Sequence, residues 1–192
     1  MQTEKMLVLG FMVVLVSIGI LIGASFLTFA PAGNGNGGTT TTSATIYEDT
    51  YLESLDLHVP DWNFLMSDDE LISIQDYEGQ FVVVDLMATW CTTCAFQNGN
   101  FETLYDNMAG DIEILSLTVD VSETVSMMAN YKSTKGLDWP HGLDTNRQFT
   151  NYFSVSTIPT IVVIDNEGRF RWMHIGIWSV DDMTQTLSAM MP

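Results

Sequence analysis

Phe81-Val82-Val83-Val84-Asp85-Leu86-Met87-Ala88-Thr89-Trp90-Cys91-Thr92-Thr93-Cys94 decides how the rest of this 192-residue chain is read. Its first seven residues are apolar and mostly β-branched apart from Asp85, the pattern of a buried strand. Beyond it, Phe101, Leu104, Tyr105 and Met108 recur at i, i+3, i+4 and i+7, which predicts a helix over residues 94–108. The two cysteines, the only ones in the chain, therefore fall on a strand-to-helix turn, with Cys91 at or near the helix N-terminus. Unpaired backbone N–H groups and the positive end of the helix dipole stabilise a thiolate there. The thiolate is the nucleophile of disulfide exchange.

Three other readings of the pair are weaker. As a structural staple so short a loop contributes only about 2 kcal/mol in the chain-entropy model, against about 3 for fifteen residues. Half a zinc site needs two further ligands, and His58, His141 and His174 are scattered without ligand spacing. A pair of inert buried thiols fits poorly with a turn.

The formal charge is -18, from 24 acidic and 6 basic residues. Nucleic acid is disfavoured, because its phosphates need Lys and Arg, and so is docking of the domain on anionic lipid. A surface this acidic is compatible with plain solvation, a salt-rich habitat or basic partners.

Residues 6–30 form an uncharged run of 25. As a helix it would span about 37 Å, more than the roughly 30 Å hydrocarbon core of a bilayer. A secretory signal has a shorter apolar core, about 7 to 15 residues. The expectation is an uncleaved signal anchor, a transmembrane helix over 1–30. The alternative is a long signal peptide cleaved near Ala30-Pro31-Ala32. Lys5 flanks the run and the next basic residue is Lys132. The positive-inside rule then keeps the N-terminus cytoplasmic and exports the domain, giving a single-pass membrane protein. Residues 31–45 are Gly, Asn, Thr and Ser in low complexity, a flexible linker. Residues 46–192 are long enough for one domain with a real core.

Within that domain, residues 46–58 suggest a short helix. Val59-Pro60-Asp61-Trp62-Asn63-Phe64 and Leu71-Ile72-Ser73-Ile74 alternate and suggest a β-hairpin. A strand is predicted over 112–119, then a helix over 123–135 capped by Ser122. A loop follows over 136–144 and a short helix over 146–153. A strand over 160–165, a turn at Asn166-Glu167-Gly168 and a partner strand over 169–175 come next. The final helix, 179–190, puts Val180, Met183, Leu187 and Met190 on one face.

The stretch Val82 to Cys94 resembles the active-site strand and turn of thioredoxin-like proteins, and Thr157-Ile158-Pro159-Thr160 resembles their cis-proline loop. Ala88-Thr89-Trp90-Cys91 is the form common in the membrane-anchored TlpA-like and ResA-like branch. The resemblance runs over about residues 59–190. It implies an α/β thioredoxin-like fold, a central mixed sheet flanked by helices, with an N-terminal β-hairpin extension after one transmembrane helix. It also implies roles. Cys91, exposed, attacks; Cys94, covered, resolves the mixed disulfide. Asp85 is the base that deprotonates Cys94, and a buried carboxyl without a cation partner titrates high. Pro159 is cis and opens the backbone of Ile158 to an extended substrate, while Trp90 forms an apolar rim. Three positions depart from the family: Thr92-Thr93 lacks a proline before the second cysteine, Gly99 stands where a kink-forming proline is usual, and Gln97 stands where the TlpA-like branch has an acidic residue.

The function implied is an extracytoplasmic thiol–disulfide oxidoreductase reducing protein disulfides, apocytochrome c included, with electrons from a membrane thiol donor. It would need no metal and no cofactor beyond the redox-active disulfide Cys91–Cys94. An oxidase or isomerase is the variant within this class. The alternative outside it is a copper metallochaperone using Cys91, Cys94 and His174, although that family spaces its cysteines C-x-x-x-C. A peroxidase of the peroxiredoxin type places its nucleophile in a different local pattern.

Overall fold

The computed structural model describes residues 49–51 and 57–192. In chain order its elements are β1 (Asp49–Tyr51), β2 (Asn63–Leu65), β3 (Leu71–Ser73), β4 (Phe81–Met87), α1 (Thr92–Asn107), β5 (Ile112–Thr118), α2 (Val125–Lys135), β6 (His141–Leu143), α3 (Gln148–Tyr152), β7 (Thr160–Ile164), β8 (Phe170–Ile175) and α4 (Val180–Met190). Six strands form one mixed sheet in the order β1-β8-β7-β4-β5-β6. β4, β5 and β6 run parallel; β7 is antiparallel to β4, and β8 to β7. This is a thioredoxin-like α/β fold.

β4 is buried along its whole length, so both of its faces must be covered. Side chains alternate between faces, and the two cores follow that alternation. Phe81, Val83 and Met87 pack with Ile112, Ile114, Ile161 and Val163 under Phe101 and Leu104 of α1, Met128 of α2, and Met183 and Leu187 of α4. Val82, Val84 and Leu86 pack with Leu115, Leu117, Val162 and Ile164 against Phe64, Phe149 and Phe170. β2 and β3 pair with each other antiparallel, and β2 brings Phe64 onto that second face. β4 thus delivers the chain from the sheet centre directly into α1.

Three expectations need correction. The 46–58 segment is not all helix: Asp49–Tyr51 adds an edge strand to β8. The helix after β5 is capped by Thr124, whose side chain accepts the Met127 N–H at 3.3 Å, and not by Ser122. Ser122 is held in the preceding turn, where its N–H and hydroxyl both donate to Asp120. The 136–144 loop contains β6, which pairs with Ser116, Leu117 and Thr118. Three residues including a glycine carry no readable periodicity. The expected transmembrane helix and linker lie outside the described residues; among the described residues no helix is long and apolar enough to cross a membrane.

Gly142 shows why that strand is there. A Cβ on it would lie 2.6 Å from Met66 Sδ and 2.8 Å from the Leu65 carbonyl oxygen. Gly142→Ala should therefore lower stability by about 1–3 kcal/mol, seen as a lower urea midpoint at unchanged slope. Gly99 is the opposite case, with nothing within 4 Å of its missing Cβ and α1 running unbroken through it. Gly99→Ala should raise the same midpoint, by about 1 kcal/mol in stability.

Candidate active site

Cys91 is the N-cap of α1, and its Sγ accepts the Cys94 N–H at 3.1 Å. The two cysteines form a disulfide. Cys94 is wholly buried, as its place one turn in requires. Cys91 is also buried, at 5 % exposure, against the expectation that it would be exposed. The disulfide turns its Sγ inward, and Thr93 Oγ1 at 3.3 Å and the Ile158 carbonyl oxygen at 4.0 Å cover it. The Ile158–Pro159 bond is cis, and Pro159 is buried while Ile158 is half-buried. Thr93 Oγ1 also lies 3.5 Å from the Ile158 carbonyl oxygen, so one hydroxyl touches both the sulfur and the proline loop.

Asp85 has the same inward parity on β4 as Val83 and Met87, which pack in one core with Cys94. It has no exposure and, among the described residues, no cation partner; burial pushes its pKa up to about 7, against a lowering by Ser116. Ser116, its register neighbour on β5, donates to Oδ2 at 3.0 Å. Trp139 Nε1 in turn donates to Ser116 Oγ at 2.9 Å. Among the described residues Asp85 Oδ1 has no hydrogen-bond partner. His141, the register neighbour of Ser116 on β6, completes this polar row across three strands. Its Nδ1 lies 2.9 Å from the Trp139 carbonyl oxygen, which can only accept, so Nδ1 carries the proton and Nε2 is bare. Burial pulls the His141 pKa down to about 4.

The turn before the cysteines is clamped by two acids. Glu123 accepts the Thr89 N–H at 2.9 Å and also the Thr89 hydroxyl. Asp120 accepts Trp90 Nε1 at 2.7 Å, while the indole itself stays 67 % exposed as an apolar rim beside Cys91. Hydrogen bonds from Ser122, then from Trp90, hold the Asp120 carboxyl below the usual range. Gln97 is buried and accepts the Trp178 N–H at 2.8 Å, which fastens α1 to the segment before α4. Asn98 Nδ2 donates to Tyr131 Oη at 2.8 Å and fastens α1 to α2.

The structure thus brings Cys91, Cys94, Ile158 and Pro159 together, with Trp90 at the rim and Asp85 on the inner side. His174 is elsewhere engaged, stacked on Trp178 with Nε2 3.2 Å from the Ile177 carbonyl oxygen. Among the described residues no three His, Cys, Asp or Glu side chains gather as metal ligands. Sequence reasoning missed Ser116, Trp139, Asp120 and Glu123. Ser116 carried a signal, a polar residue opposite Asp85 on the inward parity of an apolar strand. The two acids lay in a loop whose fold brings them back to Thr89 and Trp90, and no local pattern shows that.

The sequence profile of the AhpC/TSA family matches residues 56–173. A protein named thiol-disulfide oxidoreductase ResA from Bacillus subtilis is 29% identical over 110 residues, 56% of this chain and 60% of that protein. The chain therefore spans less than two thirds of that relative. The protein of the same name from Geobacillus thermodenitrificans is 28% identical over 120 residues, 62% of this chain and 68% of that protein. Among solved structures, a DsbF homologue from Corynebacterium diphtheriae superposes with a TM-score of 0.62 at 16% identity, covering 82% of this chain and 99% of the other, a likeness of fold.

Asp85 and His141 bend stability in opposite directions with pH. Asp85 ionises at about 7 in the fold against 3.8 when unperturbed, so the unfolded chain loses its proton first and stability falls as pH rises between those values. His141 titrates at about 4 in the fold against 6.5, so its share of stability is present above 6.5 and is lost as pH falls toward 4. Asp85→Asn isolates the first effect. Its stability relative to wild type should climb from about pH 4 to about pH 7 and then hold level, by urea midpoints at each pH. A difference that stays constant across this range would show that Asp85 ionises normally in the fold.

Proposed function

The chain belongs to the AhpC/TSA family, and we propose that it is a thiol–disulfide oxidoreductase that reduces protein disulfides through Cys91 and Cys94. The observation that supports this reading is the disulfide at the α1 N-terminus, beside the Ile158–Pro159 loop, with a buried carboxyl of raised pKa behind it. In the reduced protein the Cys91 thiolate attacks one sulfur of a substrate disulfide and expels the other as a thiolate, leaving a mixed disulfide. Cys94 passes its proton to the Asp85 carboxylate and attacks Cys91 Sγ. That step forms the Cys91–Cys94 disulfide and expels the second substrate thiolate. Donors at the helix N-terminus favour Cys91 as the thiolate. A base with a pKa of about 7 suits proton transfer near neutral pH.

The same proposal places this domain outside the cytoplasm, tethered by residues 6–30. A membrane thiol carrier would re-reduce the disulfide, and apocytochrome c is one substrate class. The uncharged 25-residue run supports this setting.

The full chain in detergent, supplied with dithiothreitol, should reduce insulin, and Cys91→Ser should bring the rate to background. Retained activity in that variant would overturn the proposed nucleophile. Cys94→Ser should accumulate mixed disulfides with its substrates in vivo, separable on non-reducing gels. In its host the chain should sediment with membranes and stay there in high salt; recovery of a soluble form beginning near Gly33 would mean cleavage instead.

A further inference from the structure

Thr93 stands on the first turn of α1, exposed, in a position to serve two acceptors with a single proton. Its Oγ1 is 3.3 Å from Cys91 Sγ and 3.5 Å from the Ile158 carbonyl oxygen. A sulfur in a disulfide is neutral and a weak acceptor, so the hydroxyl proton belongs to the carbonyl while the disulfide is intact. Reduction changes that ranking. An external dithiol supplies two electrons and becomes a disulfide; Cys94 ends as a thiol and Cys91 as a thiolate, and the second proton goes to solvent. A thiolate is a charged acceptor, and a charge-assisted hydrogen bond is roughly twice as strong as a neutral one. The Cys94 N–H already points at this sulfur, so the thiolate forms where donors converge.

We propose that Thr93 is a positioning residue that couples the redox state of Cys91 to substrate capture, by moving its hydrogen bond from the Ile158 carbonyl to the Cys91 thiolate on reduction. The carbonyl released is a backbone acceptor beside the sulfur. An extended polypeptide docking there pairs with it through its own N–H. The reduced protein, which is the form that attacks, therefore has the acceptor open. The oxidised protein, which has finished its turnover, has it occupied and lets the product go. By linkage the effect is reciprocal: a peptide bound at Ile158 favours the proton on the thiolate side and so favours the reduced form. The inference rests on the oxidoreductase reading above and adds to it a redox-dependent control of the Ile158 acceptor by Thr93.

The test uses the full chain in detergent, with Thr93→Val to remove the hydroxyl at constant shape and Thr93→Ser to restore it. The probe is insulin B chain with its cysteines carbamidomethylated, which cannot exchange disulfides. Wild type should bind it about three- to tenfold more tightly when reduced than when oxidised, the range of one net hydrogen bond. Thr93→Val should bring that ratio to one by tightening the oxidised form, and Thr93→Ser should bring it back. The Cys91 thiol, followed by thiolate absorbance, should become about threefold to tenfold less acidic in Thr93→Val. A tenfold loss corresponds to a reduction potential about 30 mV more negative. A wild-type ratio of one, no binding in either state, or an unchanged ratio in Thr93→Val overturns the proposal. Insulin reduction by the same wild-type preparation separates the two readings. Activity with a flat ratio removes only the switch, whereas no activity removes the oxidoreductase reading beneath it.

Discussion

The complete burial of β4 is the constraint from which the rest of the structure follows. A strand with no solvent face must be covered twice, and the alternation of its side chains assigns each residue to one cover or the other. Val82, Val84 and Leu86 draw in Phe64 of the β2–β3 pair and Phe149 of α3. Phe81, Val83 and Met87 draw in α1, α2 and α4. With β4 held on both sides, the chain leaving it has a fixed direction, and Cys91 caps α1 at that exit. The cysteines thus follow directly on a strand that is buried along its whole length.

Parity also explains Asp85. A carboxyl at an inward position of a buried strand loses its water, and the loss is only partly compensated. Trp139 donates to Ser116 and Ser116 donates to Asp85, a chain whose bonds polarise in the same sense and favour the charged form. Burial outweighs that help, and the pKa stays near 7. His141 continues the row on β6 with the opposite response, held neutral by the same burial. The strands on either side of β5 therefore hold an acid and a base whose charged forms burial disfavours.

The outer side of the site has a different logic. Glu123 and Asp120 reach back from the segment after β5 to the Thr89 N–H and the Trp90 indole. They fix the turn without covering the apolar face of Trp90. Arg169 and Arg171 pair with Glu167 and Asp165 around the β7–β8 turn. The acids that clamp this turn before the cysteines add to the excess of acidic residues in the chain.

Local sequence was enough to determine β4, the helix after it, the turn that holds the cysteines, the antiparallel β7–β8 pair and the apolar face of α4, because each of these writes its period into consecutive residues. It also marked Asp85 as the one acid in an apolar strand, while which groups meet its carboxyl was left to packing. Tertiary structure alone decided the rest. β6 is three residues long and exists because Gly142 lets Met66 and Leu65 approach. The cap of α2 moved from Ser122 to Thr124 because Asp120 had already engaged Ser122. Cys91 is covered because Thr93 and Ile158, 65 residues apart in the chain, converge on one sulfur. Contacts of that separation are set by how elements pack against one another, and no window of neighbouring residues contains them.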